Sequence, residues 1–333
     1  MYTPTPELKA FIQSLPKTET HLHLEGACPI DMIKAAAPGR FEGNPPMWDD
    51  AFRYNHFDQF MELYGEFCGA VFTSADAYHE AAKIILQDCA DQNVRYVETS
   101  FHIGILFDGK FKGPELLEAI YDAKPKGMEL RVFAGMCHND YVDAGKDIID
   151  DSLDWEQLAG VDIHGPEYWP LKDWTADVWA TAAKKGKVLK AHAGEFMPSS
   201  FVKRCIEELG VRRIQHGVRC IEDPAVVELI KAKDVTLDVC PISNLKLQVE
   251  GIPTMDKHPI RQLFDQGVRC TVSSDDPFMF GNTLSEDYYA LAMDLNFTEA
   301  EPAQIAKNGF EVADYESPEK QACINTLDAV IKS

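Results

Sequence analysis

Short apolar runs alternate along the chain with longer stretches in which apolar residues recur at helical spacing. Eight runs rich in β-branched residues and bounded by turn formers predict strands: Thr18–His23, Val94–Phe101, Leu130–Met136, Gly160–His164, Val188–Ala193, Arg213–Val218, Val235–Cys240 and Val268–Ser274. The intervening stretches predict helices, among them Ala75–Gln92, Ala176–Lys185, Ser200–Leu209, Pro224–Lys233 and Pro259–Gln266. Strands that alternate with helices form parallel βαβ units. Eight such units predict a closed (β/α)8 TIM barrel, whose functional residues lie where strands end and βα loops begin.

One segment interrupts this alternation. Residues Phe41–Phe72 form a long insertion after the first predicted strand, and their apolar side chains recur at helical spacing: Phe57, Phe60, Met61, Tyr64, Phe67, Cys68 and Val71. An amphipathic helix packed on the barrel is the simplest interpretation. The alternative is an apolar lid over the barrel mouth that excludes water during chemistry. Because no linker, repeat or low-complexity segment is present, residues 1–333 are predicted to form a single domain.

Composition narrows the class of partner. Hydrophobic residues make up 45% of the chain and charged residues 26%, which permits a large core. The formal net charge of −22 argues against nucleic acid or an anionic membrane as a partner and leaves a small molecule. Nine cysteines without a CxxC pair argue against a disulfide framework, so a cytoplasmic location is expected. No run approaches the roughly 18 apolar residues of a membrane helix, and the oligomeric state stays open.

Polar residues at the predicted strand ends carry the chemistry. His21 and His23 are two residues apart, so in a strand both imidazoles face the same side. His192 ends the fifth predicted strand, and the Asp275-Asp276 pair ends the eighth. Adjacent residues there point to opposite sides, so one carboxylate can bind a metal while the other contacts substrate. Three histidines and an aspartate are typical of a catalytic metal centre, because structural zinc sites favour closed cysteine-rich sets. The sequence therefore predicts a metallohydrolase.

Glu195 and His216 remain as acid–base candidates. Gly194 lets the backbone turn so that Glu195 faces the same cavity, where burial would raise its pKa towards that of a useful general acid. His216 could be a fourth metal ligand or a base that orients water. Gly26 permits a tight exit from the first strand. The end of the fourth predicted strand, residues 161–167, contains no lysine, which favours one metal ion over two.

Five motifs together resemble the adenosine/adenine deaminase family of the amidohydrolase superfamily: Thr20-His-Leu-His-Leu-Glu-Gly26, His192-Ala-Gly-Glu195, His216-Gly217, Cys240-Pro-Ile-Ser-Asn244 and Ser274-Asp-Asp-Pro277. The resemblance covers nearly the whole chain, with the motifs in the family's order and spacing. It implies a mononuclear zinc (β/α)8 barrel that hydrolytically deaminates a 6-aminopurine and releases ammonia.

The resemblance also implies a role for each site residue. One zinc ion would be held by His21, His23, His192 and Asp275, while the sequence itself leaves zinc and iron(II) both open as the native metal. Glu195 would protonate the purine nitrogen N1 while an activated water attacks C6, and His216 would orient that water. Asp276 would accept a hydrogen bond from N7, and the backbone N–H of Gly165 would contact N3.

The substrate itself is left open. Glu25 stands where nucleoside-specific members usually carry Asp, and together with residues 243–247 and Phe280-Gly281 it resembles the free-base adenine branch. Gly165-Pro166-Glu167, in contrast, keeps the spacing of nucleoside deaminases, while His164 replaces a usual small residue. Adenine, adenosine and a modified 6-aminopurine are all compatible. A superfamily member acting on a non-purine substrate would keep the metal ligands but would not need Glu195 or Asp276.

Overall fold

The computed structural model describes residues 2–333, and it contains one eight-stranded parallel sheet in which the strands follow chain order. The strands are β1 Lys17–His23, β2 Val94–His102, β3 Glu129–Cys137, β4 Leu158–His164, β5 Val188–Ala193, β6 Arg213–His216, β7 Thr236–Val239 and β8 Arg269–Val272. The sheet closes where Leu22 bridges Asp275. The His23 N–H donates to the Asp275 carbonyl at 3.0 Å, and the Asp275 N–H donates to the His21 carbonyl at 3.1 Å. The predicted TIM barrel is confirmed.

Fifteen helices among residues 2–333 surround the barrel or cover its ends. They are α1 Pro6–Ser14, α2 Ile30–Ala36, α3 Phe57–Val71, α4 Ala75–Asp91, α5 Gly113–Asp122, α6 Asp143–Ser152, α7 Asp173–Lys184, α8 Ser199–Glu208, α9 Pro224–Ala232, α10 Pro241–Lys246, α11 Ile260–Asp265, α12 Pro277–Phe280, α13 Leu284–Met293, α14 Ala300–Val312 and α15 Pro318–Ile331. In this part of the chain no helix is both long and apolar enough to cross a bilayer.

Three strands end earlier than the sequence predicts. β6 ends at His216 because Gly217 adopts a left-handed conformation (φ 72°) and a 3-10 turn follows at Val218–Glu222. β7 ends at Val239 because α10 begins with a proline, which is favourable in the first turn of a helix but cannot donate to a strand ladder. β8 ends at Val272, and the next residues close the barrel through isolated hydrogen bonds to β1.

A layer of buried ion pairs fills the barrel below its C-terminal rim. Lys190 contacts Glu98 at 2.5 Å, and Arg213 contacts Glu98 at 3.0 Å and Asp238 at 2.8 Å. Lys190 lies two residues before His192, so its side chain occupies the same barrel face one layer deeper. Each charge has an opposite partner, as burial requires. The ion pairs link β2, β5, β6 and β7 and lie directly below the residues at the C-terminal rim.

The insertion after β1 contains the predicted helix, which spans Phe57–Val71 as α3. The imidazole of His56 caps it by accepting the Gln59 N–H at 3.1 Å. The Phe60 ring stacks on Phe280 with 5.5 Å between centroids, and the Phe57 ring lies 4.7 Å from Phe196. The helix therefore packs on the barrel, and it does so directly over the C-terminal mouth.

Candidate active site

Three histidines and one aspartate converge at the C-terminal end of the barrel, and all four side chains are buried. His21 and His23 come from β1, His192 comes from β5, and Asp275 follows β8. The Nε2 atoms of the histidines lie 3.1–3.3 Å from one another. Oδ1 of Asp275 lies 3.2 Å from Nε2 of His21 and 3.4 Å from Nε2 of His23.

These separations fit a single metal ion. Ligand atoms about 2.0–2.1 Å from a tetrahedral zinc lie roughly 3.3 Å from each other, which is the spacing found here. Three imidazole lone pairs and a carboxylate facing one another in a buried space also require a cation for their charge to be balanced. The four residues thus form a candidate metal site of the composition that the sequence predicts.

The outer nitrogen of each histidine has a partner that fixes its orientation. Nδ1 of His21 lies 3.1 Å from the backbone carbonyl of Asp238, and Nδ1 of His23 lies 3.0 Å from Oγ of Ser100. Nδ1 of His192 lies 3.2 Å from a carboxylate oxygen of Asp162. An acceptor at Nδ1 keeps the proton there, so each Nε2 presents its lone pair to the metal position.

A second network holds Glu195 and His216. The Ile260 N–H donates to Nδ1 of His258, so Nε2 of His258 carries the proton and donates to Oδ1 of Asn244 at 3.2 Å. This orients the Asn244 amide nitrogen, which donates to Oε1 of Glu195 at 3.3 Å and to Nδ1 of His216 at 3.1 Å. As its Nδ1 accepts, His216 carries its own proton on Nε2, 3.5 Å from Oε1 of Glu195. Burial lowers the pKa of His216 well below its ordinary value, which keeps the ring neutral.

The surroundings of Glu195 favour the protonated form of its carboxyl group. Burial raises its pKa well above the ordinary value, and the negative charges of Asp275 and Glu167 act in the same direction. Gly194 has φ 77°, so the turn expected there is present. The Glu167 carboxylate accepts three successive backbone N–H groups, from residues 195 to 197, at 2.7–3.0 Å. Glu167 therefore shapes the loop that carries Glu195, and it does not line the cavity.

Asp276 lies against Gly26. A Cβ atom on Gly26 would come within 1.6 Å of Oδ1 of Asp276, so only glycine permits this approach. The φ of Gly26 is not positive, so glycine is needed there for space and not for an unusual backbone angle. Oδ1 of Asp276 is buried without a hydrogen-bond partner among residues 2–333. Burial, with the charge of Asp275 adding to it, raises the pKa of Asp276 well above its ordinary value.

These groups surround one cavity of about 370 Å³. Nine of the ten predicted site residues line it, namely His23, Glu25, His164, Gly165, His192, Glu195, His216, Asp275 and Asp276. The tenth, His21, contacts the other metal-ligand candidates from outside the lining. The helix α3 covers the cavity with side chains that include Phe57, Met61 and Tyr64.

Several residues that hold the site were not identified as functional from the sequence. Ser243 donates to Oδ2 of Asp275 at 2.6 Å, and Asn244 connects Glu195 to His216. Both belong to the motif that follows β7, which was the available signal. Ser100 and Asp162 face the outer nitrogens of metal-ligand candidates from β2 and β4, and no motif marks them.

Comparison with known proteins identifies the family to which this chain is similar. The family model described as adenosine deaminase matches residues 16–330. Curated relatives named adenine deaminase include one from Wolinella succinogenes, 32% identical and covering 95% of this chain and 97% of the relative. Another, from Hahella chejuensis, is 29% identical and covers 98% of this chain and 100% of the relative.

Two solved structures share the fold. A crystal structure of adenine deaminase from Arthrobacter aurescens has a TM-score of 0.84 at 24% identity and covers 96% of this chain and 100% of that one. An amidohydrolase from Burkholderia ambifaria with bound zinc has a TM-score of 0.82 at 24% identity, covering 99% and 95%. Since the family model spans nearly the whole chain, this protein belongs to the adenosine deaminase family.

Proposed function

We propose that this chain is a hydrolytic adenine deaminase, which converts adenine and water to hypoxanthine and ammonia. The name of its curated relatives supports the reaction, because they align over nearly their full lengths. The cavity supports it independently, since it brings a metal-binding set, a buried carboxylic acid and a neutral histidine within reach of one small molecule.

Glu25 is the residue that sets the preference for the free base over the nucleoside. In the nucleoside deaminases that this chain resembles, the residue at this position reaches the ribose hydroxyl. Here its Oε1 accepts the Tyr78 hydroxyl at 2.5 Å and the His102 backbone N–H at 3.0 Å. Both donors bind the same oxygen, so they hold the carboxylate against the wall and restrict how it can meet a sugar hydroxyl. The His164 imidazole lines the same cavity and leaves less room for a ribose.

The metal-ligand candidates are assigned one zinc ion in this proposal. When bound, zinc would supply hydroxide near neutral pH by lowering the pKa of water. The ion would be held by His21, His23, His192 and Asp275.

The remaining groups act on the purine. Glu195 would deliver its proton to N1, which draws electrons from C6 and makes that carbon open to attack. His216, protonated on Nε2, would donate a hydrogen bond to the oxygen that adds to C6. Asp276 would form a hydrogen bond with N7, as the resemblance implies. The Gly165 N–H would contact N3, and α3 would exclude bulk water.

Formation of the 6-oxopurine product (hypoxanthine, inosine or deoxyinosine) from adenine, N6-methyladenine, adenosine and deoxyadenosine tests the proposal, because N6-methyladenine would release methylamine instead of ammonia. We expect kcat/KM for adenine to exceed that for adenosine by about 10- to 150-fold, because a buried sugar hydroxyl that lacks a hydrogen bond to a charged group costs roughly 1.5–3 kcal/mol. A preference for adenosine, or for the N6-methylated base, would overturn the assignment to adenine.

Two variants test whether Glu25 sets the preference for adenine over adenosine. Glu25→Asp withdraws the carboxylate from Tyr78 and His102, so the adenosine-to-adenine ratio of kcat/KM should rise by about tenfold. Glu66→Asp is the matched control, because Glu66 is exposed on α3 and pairs with Arg40. If Glu25→Asp leaves the ratio unchanged, Glu25 does not set the preference.

A further inference from the structure

A second group of metal-ligating side chains lies in the wall of the cavity. His102 ends β2, Cys137 ends β3 and His164 ends β4, so three neighbouring strands present them at the same rim. One ligand atom from each lies within 4.8 Å of the other two. All three side chains line the cavity, and none belongs to the metal site formed by β1, β5 and Asp275.

The two imidazoles of this group are spaced like those of the first site. Nδ1 of His102 lies 3.1 Å from Nε2 of His164, within the range of the nitrogen separations among the three histidines of the first site. The Cys137 sulfur lies within 4.8 Å of one nitrogen of each ring, and the Asp140 carboxylate accepts the Cys137 backbone N–H at 2.7 Å. A carboxylate so placed adds negative charge next to the group, which favours a cation there.

Glycines make room for both imidazoles. A Cβ atom on Gly104 would lie 2.3 Å from Nε2 of His102, and one on Gly135 would lie 2.5 Å from Cε1 of His164. A larger residue at either position would displace a ring. The two imidazoles can therefore occupy these positions only because residues 104 and 135 are glycines.

We propose that His102, Cys137 and His164 form a second metal site that binds a borderline-soft divalent ion such as zinc. Two imidazoles and a thiolate are ligands that select zinc or cobalt over magnesium or calcium. Binding would release the thiol proton of Cys137 to solvent, since the thiolate is the ligand. Three protein ligands would leave one coordination position for water or a small molecule from the cavity that the three residues line. The site would be filled after the first, because His102 and Cys137 are only partly buried and no carboxylate ligates there.

Cobalt(II) provides a test that does not depend on activity. Protein carrying about one zinc per chain is mixed with cobalt(II), and the thiolate-to-cobalt charge-transfer absorption is recorded. The first site contains no sulfur ligand, so this absorption reports the second site. We expect it to appear in the parent protein and to be lost in Cys137→Ser. Cys68→Ser, which changes another cysteine that lines the cavity, should keep it.

Metal content gives the second measurement. After equilibration with excess zinc and removal of free ion, we expect about two ions per chain in the parent and about one in both Cys137→Ser and His102→Asn. His102→Asn keeps the test decisive if Cys137→Ser folds poorly. The proposal is overturned if no charge-transfer absorption appears, if it persists in Cys137→Ser, or if zinc content stays at one. Any of these results would mean that the His102–His164 contact is an ordinary imidazole hydrogen bond.

Discussion

Replacement of Asn244 by alanine tests whether the second network sets the catalytic groups. Asn244 is fully buried and makes three side-chain hydrogen bonds: it accepts from His258 and donates to Glu195 and His216. Alanine removes all three. Glu195 loses the group that positions its carboxyl, and His216 loses the donor that keeps its proton on Nε2. None of the four metal-ligand candidates contacts Asn244 through a hydrogen bond.

The expected loss of activity follows from the two hydrogen bonds that Asn244 donates to Glu195 and His216. Each contributes about 0.5–1.5 kcal/mol, so together they account for roughly 1–3 kcal/mol of positioning. We therefore expect kcat/KM for adenine to fall about 5- to 150-fold in Asn244→Ala. Metal content should stay at the parent level, because the ligand set is intact.

Asn308→Ala is the matched control for loss of a buried asparagine. Asn308 donates to the Cys270 carbonyl and accepts from Gln304, and it does not line the cavity. Both variants should lose stability in thermal unfolding, but only Asn244→Ala should lose activity beyond that of the control. If the two variants have the same kcat/KM within about twofold, or if Asn244→Ala loses its metal, the network does not position Glu195 and His216.

Three further substitutions address the remaining parts of the site. His23→Ala should abolish both activity and the binding of the first metal ion, and elemental analysis showing a full metal complement would contradict the ligand assignment. Glu195→Gln should lower kcat by on the order of 10²-fold or more with metal retained, and loss of metal instead would make Glu195 a ligand. Gly26→Ala should lower kcat/KM for adenine by about tenfold or more by displacing Asp276, whereas Gly43→Ala, where a Cβ meets nothing within 4 Å, should have no effect.

The sequence alone predicted the barrel and the polar residues at the C-terminal ends of its strands. Strand residues two apart share a face, so the spacing of His21-Leu22-His23 alone assigns both histidines to one site. Parallel strands end at one rim, which is why residues 21, 192, 216 and 275 could be expected to meet although they are far apart in the chain. The structure places residues 192, 216 and 275 in the lining of one cavity, and His21 contacts His192 and Asp275 from outside that lining.

The supporting residues could not be predicted in the same way. Ser100 faces His23 because β2 pairs with β1, and Asp162 faces His192 because β4 pairs with β5. Which side chain meets which depends on strand register, and hydrophobic patterning does not specify register to one residue in fully buried parallel strands. His258 reaches Asn244 from the segment before α11, a contact that only the loop path determines.

Because of this pairing, two residues on the same face of one strand have different contacts. In β2, Ser100 contacts a metal-ligand candidate, and His102, two residues later on the same face, lines the cavity. In β4, Asp162 and His164 repeat the arrangement. The deeper residue of each strand contacts a metal-ligand candidate, while the rim residue lines the cavity. Substitutions at the rim of β2 and β4 should therefore leave the first metal site filled, because Ser100 and Asp162 still orient its histidines.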